Sequence, residues 1–307
     1  MSEPPRVAYL IASHTNVAQV VRLARRIRRE RPDAPILIHH DRSATPFPPD
    51  LFAPDERVRF VEKWVPGAWG TFAQGHVVIN AIAQLLESGE PFDWLAFMSG
   101  QDYPTGSLVA FEGNLENYGD GAIVYDDERP ESRDRYRFAW YYIPYRLQTR
   151  LLHRIFYVLG RFTTFQPFIR FMSGRVGCRF GILRRRPLMI DGIRTRKGFQ
   201  WWTLSRRCVE YIDSFCRERP DYVDHFSRRV LIPDEAFFQT ILADAKFTLV
   251  SDDGHYVRWP TPTAMNPAWL GIADLPEIIA SGKPFARKFD ATKDSAILNA
   301  LDARAGM

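Results

Sequence analysis

Asp102 lies in the loop Ser99-Gly100-Gln101-Asp102-Tyr103-Pro104, directly after the apolar run Trp94 to Met98. Five apolar residues in succession read as a buried strand, and the small, turn-forming residues after them stop it. Open α/β sheets bind ligands just beyond the carboxyl ends of their strands, so chemistry is expected at this loop. Metal-assisted diphosphate chemistry usually puts two acids at such a place, whereas here Asp102 is the single carboxylate. A second candidate is Pro233-Asp234-Glu235 ahead of Ala236-Phe237-Phe238. Two acids in the first turn of a helix can simply complement its dipole. Alternatively, burial between proline and bulky aromatics raises a carboxyl pKa toward the range of a general base. A third is Phe285-Ala286-Arg287-Lys288-Phe289, two adjacent cations between phenylalanines. Partly buried cations want an anion, such as a diphosphate.

Other polar groups carry weaker signals. His39-His40-Asp41 suggests a metal, but adjacent residues of a strand point to opposite faces, so no metal site is expected. Asp41, at the strand end, is placed to accept hydrogen bonds from a nucleoside. Asp126-Asp127 and Asp252-Asp253 read as solvated turns. His14 is either a ligand neighbour or a satisfied polar residue. In Tyr256-Val257-Arg258-Trp259 alternation puts Trp259 on the face of Val257, as plain core or as an acceptor platform, since sugar C–H groups pack on aromatic rings. Trp201 and Trp202 present the same choice, with one of the pair expected in the core.

The elements that position these groups alternate between strand and helix. Strands are expected at Val7–Ala12, Ile36–Asp41, Val58–Val61, Trp94–Met98, Ala122–Tyr125, Gln200–Leu204, Phe247–Val250 and His255–Trp259. Helices are expected at His14–Arg29, Phe72–Ser88, Arg206–Glu218 and Pro233–Leu242. The early alternation indicates a Rossmann-like, mostly parallel α/β sheet flanked by helices. Residues 129–186 differ: they are arginine-rich, aromatic-rich and poor in clear strands. Arg150–Met172 is expected to be helical and to break or kink at Pro167. Residues 1–307 are read as one domain carrying this basic helical insertion.

The 307 residues suffice for a sizeable core. A net charge of +5, from 41 basic and 36 acidic residues, is too mild for a nucleic-acid partner and suits an anionic small ligand. Cys178, Cys208 and Cys216 form an odd set without CxxC spacing, which implies a reduced, cytoplasmic setting without disulfides or a zinc site. Met1–Arg6 lacks the basic-then-apolar order of a signal peptide, and no apolar run reaches the ~20 residues of a bilayer span. The segment 150–175 has two readings, an amphipathic helix facing the core and a peripheral contact with the inner membrane surface and a lipid-linked acceptor.

Taken in order, Tyr9-Leu10-Ile11 with His14, Ile38-His39-His40-Asp41, Trp69-Gly70, Ser99 to Pro104, Gln200-Trp201-Trp202, Pro233-Asp234-Glu235 and Phe285 to Phe289 span nearly the whole chain. This ordered set resembles the core-2/I-branching β-1,6-N-acetylglucosaminyltransferase family, which includes peptide O-xylosyltransferases; a bacterial-type member is expected. The resemblance implies a GT-A type fold, inversion at the anomeric carbon, a UDP-sugar donor, a glycan or glycoconjugate acceptor, and no metal or other cofactor. It implies Glu235 as general base, and Asp41 at uracil with Ile11 and Ala12 nearby. It further implies Lys288 at the diphosphate and Trp259 at the acceptor.

One departure stands out. The branching enzymes carry a second diphosphate-binding arginine between that tryptophan and the lysine motif, but Pro260–Lys283 contains no arginine. Arg287 and Arg258 are the candidates to replace it. The resulting expectation is N-acetylglucosaminyl transfer, with Glu235 catalytic, Asp102 shaping the donor pocket, and Trp201, Trp202 and Trp259 toward the acceptor. The alternatives are a UDP-xylose- or UDP-glucose-dependent transferase, or a non-catalytic protein that binds carbohydrate or a membrane surface.

Overall fold

The computed structural model describes residues 4–125, 136–174, 177–184, 189–190, 193–252, 254–261, 264 and 266–306. Its centre is a seven-stranded sheet assembled from both halves of the chain. The N-terminal half supplies β1 (Val7–Ser13), α1 (Val17–Glu30), β2 (Ile36–His40), β3 (Val58–Phe60), α2 (Ala73–Glu87), β4 (Trp94–Ser99), β5 (Asp102–Pro104), α3 (Leu108–Asn114) and β6 (Ala122–Val124). Next come β7 (Phe138–Tyr142), α4 (Arg150–Phe162), β8 (Ile169–Met172), β9 (Arg179–Leu183) and the short pair β10 (Met189–Ile190) and β11 (Ile193–Arg194). The remainder is β12 (Trp202–Ser205), α5 (Arg206–Glu218), α6 (Pro220–Arg229), α7 (Phe237–Asp244), β13 (Leu249–Val250), β14 (His255–Val257), α8 (Leu275–Ala280), β15 (Phe285–Arg287) and α9 (Ala296–Arg304).

The central strand order is β13-β6-β12-β4-β1-β2-β3. Its pairings are parallel except those of β12, which runs against both β4 and β6. Every residue of β1, β2 and β4 is buried, as expected of strands covered on both faces. Side-chain alternation sorts them into two cores. Ala8, Leu10, Leu37, Leu95 and Phe97 meet Val78, Ile82 and Leu85 of α2, Val209 and Ile212 of α5, and Phe237 and Phe238 of α7. Tyr9, Ile11, Ile36, Ile38 and Met98 meet Leu23 and Ile27 of α1 and Leu298 and Leu301 of α9.

Two smaller sheets complete the architecture. In β14-β15-β5, β15 lies parallel to β14 and antiparallel to β5, with Arg287 opposite Asp102. In β7-β9-β8 all pairings are antiparallel, and α4 covers β8 through Phe156, edge-on to Phe171 at 5.3 Å.

Several expectations are corrected. The basic insertion is not mainly helical: only α4 of its described residues is α-helical, and an antiparallel sheet forms the rest of its regular structure. The helix expected through Met172 ends at Phe162. Gln166 is extended (φ −135°, ψ 147°), the conformation imposed on a residue that precedes proline. Pro233–Leu242 is interrupted at Ala236 (φ −140°, ψ −30°), leaving a 3₁₀ turn at Pro233–Glu235 ahead of α7, so Asp234 and Glu235 lie outside the first turn of that helix. The strand His255–Trp259 stops at Val257. Asp126-Asp127 and Asp253 lie outside the described residues. The three cysteines are free thiols.

Candidate functional site

The carboxyl ends of β1, β2 and β4 open into a cavity of about 390 Å³. Ala12, Ser13, His14, His39, Asp41, Ser99 and Gln101 line its sheet side; Val65 to Thr71 and the first turns of α2 line another wall. Gln200, Trp201, Ile232, Asp234, Glu235 and Arg287 close the remainder. The antiparallel course of β12 explains the last wall. Its amino end lies beside the carboxyl end of β4, with Trp202 opposite Phe97, and so delivers Gln200 and Trp201 to the cavity.

Three hydrogen bonds with residues 196–199 hold the Glu235 turn and the helix after it in place. The Gly198 N–H donates to the Glu235 carbonyl at 2.7 Å. The Arg196 N–H donates to Thr240 Oγ1 at 2.9 Å, and Gln239 Nε2 donates to the Phe199 carbonyl at 2.5 Å, tying residues 196–199 along α7. A Cβ on Gly198 would lie 1.9 Å from the Tyr125 carbonyl oxygen, so only glycine permits this approach. Ile232 enters the turn at φ 50°, ψ 61°, a left-handed conformation costly for a β-branched residue. Backbone outliers of this kind cluster at functional sites.

On the opposite wall Asp41 acts as a clamp. Its Oδ1 accepts from Ser43 N at 3.0 Å and Ser43 Oγ at 2.6 Å, while Oδ2 accepts from Gly67 N at 2.9 Å. Burial alone would raise the Asp41 pKa; these hydrogen bonds and His39 outweigh it and hold the carboxyl below its ordinary range. A Cβ on Gly67 would meet Asp41 Oδ2 at 2.4 Å. His39 Nε2 accepts from Val65 N at 3.2 Å and Trp64 Nε1 donates to the His40 carbonyl at 3.0 Å, which pins the same loop to β2. Burial lowers the pKa of both His39 and His40, favouring the neutral rings. His40 Nε2 contacts the Thr45 carbonyl at 2.8 Å and therefore carries the proton, leaving Nδ1 to accept from Ser13 Oγ at 2.8 Å.

Among the described residues, Arg287 is the Lys or Arg side chain that lines the cavity. Its Nε lies 3.2 Å from Asp102 Oδ1, and its guanidinium carbon sits 4.5 Å from the Trp201 ring centre. Asp102 is wholly buried, accepts from Ser99 N at 2.6 Å, and lies 3.4 Å from His255 Nε2. Burial would raise the Asp102 pKa, but Arg287, His255 and the Ser99 N–H prevail and lower it. Asp102 thus orients Arg287 from behind and does not line the cavity.

The other expected site residues distribute unevenly. Ala12, His14 and Trp201 line the cavity beside Asp41 and Glu235, whereas Ile11 is core. Trp202 is 2% exposed and packs against Phe97 and Phe238, which takes it out of any acceptor surface. Trp259 is 43% exposed, beyond the end of β14 and off the lining. Lys288 lies off the lining too, its ammonium 4.3 Å from the Trp269 ring centre. It is close enough to His14 to assist burial, the larger effect, in lowering the His14 pKa. Arg258 is occupied with Asp274, Nε to Oδ1 at 3.1 Å, so of the two arginine candidates Arg287 alone reaches the cavity. Sequence reasoning missed His39, Trp69 and Gln74 as lining residues. Gln74 Nε2 is buried without a hydrogen-bond partner among the described residues. The Trp69-Gly70 pair was the available signal for that loop. Among the described residues no three His, Cys, Asp or Glu side chains gather as ligands for an ion.

A profile of the Core-2/I-Branching enzyme matches residues 7–279, which include every wall of the cavity except Arg287. The chain belongs to the Core-2/I-Branching enzyme family. The mostly parallel sheet flanked by helices is consistent with a GT-A-like fold for this family member. Among curated relatives, the Arabidopsis thaliana protein named beta-glucuronosyltransferase GlcAT14B is 25% identical over 97% of this chain and 65% of its own length. GlcAT14A of the same plant is 31% identical over 34% of this chain and 24% of its own. Homo sapiens xylosyltransferase 1 is 25% identical over 76% of this chain and 23% of its own. This family member therefore spans less than two thirds of the length of each.

Proposed function

We propose that this chain is an inverting glycosyltransferase that moves a sugar from a UDP-sugar to a hydroxyl of a glycan or glycoconjugate. The observation that carries the reading is that Glu235 and Arg287 line one cavity, a carboxylate and a cation brought together from distant parts of the chain. Glu235 takes the acceptor hydroxyl proton as that oxygen bonds to the anomeric carbon. The bond from that carbon to the β-phosphate oxygen breaks with its electron pair on UDP. Arg287, held by Asp102, offsets the charge that develops on the diphosphate, so that no metal ion is required. Lys288 lies one residue further along and adds positive potential near His14. Asp41 and the loop it clamps border the nucleoside end.

The names of the relatives widen the choice of donor. UDP-glucuronic acid and UDP-xylose stand beside UDP-N-acetylglucosamine and UDP-glucose as candidates, and UDP release against each, with a panel of acceptors, separates them. The decisive variant is Glu235→Gln. It should bind UDP as the wild type does while turnover falls by about 10²–10⁴, the usual worth of general-base help. Near-normal turnover would remove Glu235 from the mechanism.

A further inference from the structure

The positive charge of this chain is concentrated in one segment. Residues 137–186 contain eleven arginines, and no Asp or Glu occurs from 136 to 190. Without those eleven the chain has 30 basic residues against 36 acidic ones, so the whole basic excess resides there. Helix α4 lies in this segment, Thr149 capping it through Leu152 N at 3.2 Å.

At 100° per residue the helix divides into three stripes. Leu152, Phe156 and Gly160 face inward, where a Cβ on Gly160 would lie 2.8 Å from the Phe171 carbonyl oxygen of β8. Leu151, Ile155, Val158 and Phe162, spaced i, i+4, i+7 and i+11, form an apolar stripe that faces away from the protein. Leu151 is 67% and Phe162 68% exposed, and the stripe continues into Phe165 at 90% and Phe168 at 66%. Arg150, Arg154 and Arg161 are all exposed and form the third stripe, about a quarter-turn around the helix from the apolar one. Of the whole helix only Phe156 is buried, so its apolar character is not used for a core.

We infer that this face docks on an anionic lipid bilayer, with α4 lying in the plane of the interface, apolar stripe down and arginines among the headgroups. An apolar stripe bordered by cations, with no acidic residue, is the pattern of interfacial helices. The charge complementarity selects an anionic surface over a neutral one. No helix among the described residues is long and apolar enough to cross a membrane. The docking module also reaches the cavity: Arg179 Nη1 of β9 donates to the carbonyl of Gly70, a lining residue, at 3.1 Å.

The test is co-sedimentation of the full chain with extruded vesicles, either phosphatidylcholine alone or phosphatidylcholine with phosphatidylglycerol. The protein should pellet with the mixed vesicles and stay in solution with phosphatidylcholine alone. Leu151→Glu with Phe162→Glu, and separately Arg150→Gln with Arg154→Gln and Arg161→Gln, should each weaken binding about a hundredfold. These positions are exposed, so circular dichroism and thermal midpoint should stay at wild-type values. Binding unaffected by both sets, or absent from both vesicle types, would overturn the inference. So would a dimer seen by light scattering that the glutamate variants dissociate without any lipid binding, which would make the face a contact between copies of the chain.

Discussion

Asp102 and Arg287 face one another across β5 and β15, one fully buried and the other lining the cavity. The loop carboxylate is thereby the counter-ion beside a cavity-lining cation. Removing Arg287 would leave Asp102 buried beside His255 without its guanidinium partner. Arg287→Met should therefore cost ~3 kcal/mol in urea unfolding, the scale for breaking a buried pair. It should also weaken UDP far more than uridine in calorimetric titrations. Equal loss for both ligands would mean that Arg287 does not touch the diphosphate.

Gly198 supports Glu235 through backbone alone. Gly198→Ala places a methyl against the Tyr125 carbonyl, and relief requires the 196–199 segment to shift together with the Glu235 carbonyl it donates to. Overpacking of this kind costs ~1–3 kcal/mol. The expected kinetic signature is a lower kcat with UDP affinity retained, because Asp41, the proposed nucleoside contact, stands on another wall of the cavity. An unchanged kcat would show that the turn is positioned without this contact.

His39 sets a pH limit. Burial lowers its pKa in the folded chain below the unfolded value of about 6.5. The stability it contributes is therefore present above pH ~6.5 and is lost as pH falls through the folded value. His14 and His40 are shifted in the same direction. Protonation at Nε2 also removes the acceptor of the Val65 N–H, releasing one tether of the cavity loop. Denaturation midpoints should drop between pH 7.5 and 5, with UDP affinity falling in parallel. His39→Asn should flatten part of that dependence; an identical profile would exclude His39 as the cause.

Turnover should persist in excess EDTA, because Arg287 and Lys288 would supply the charge that a divalent ion otherwise provides. Loss of activity that manganese restores would refute this.

The central sheet was largely legible because β1, β2 and β4 are buried on both faces and so appear as unbroken apolar runs. The paired strands β5 and β15 were not. Each has three residues, too few for a periodic pattern, and Phe285-Ala286-Arg287 reads equally as strand or as anion-binding loop. The role of Asp102 was hidden for the same reason, since its partner is defined only by that pairing. The sheet β7-β9-β8 escaped notice because arginines and aromatics interleave along it without a single apolar face. Asp41, Glu235 and Arg287 could be picked out beforehand because each stands at an element boundary, where polar groups need a reason. His39 carries no such signal: a buried strand histidine that accepts one backbone N–H has the same sequence appearance as a core residue.

The strand that brings Arg287 to the cavity is the last one described in the chain, and it pairs with a strand made far earlier. Closing so long a loop is slow in folding, and much of the conformational entropy must be surrendered before that contact forms. During synthesis the sheet and the walls bearing Asp41 and Glu235 would exist for some time without their cation. Such a nascent chain could fold about its centre while the cavity wall that Arg287 completes is still missing, so the cavity gains this cation only after residue 287 has been made and β15 has found β5.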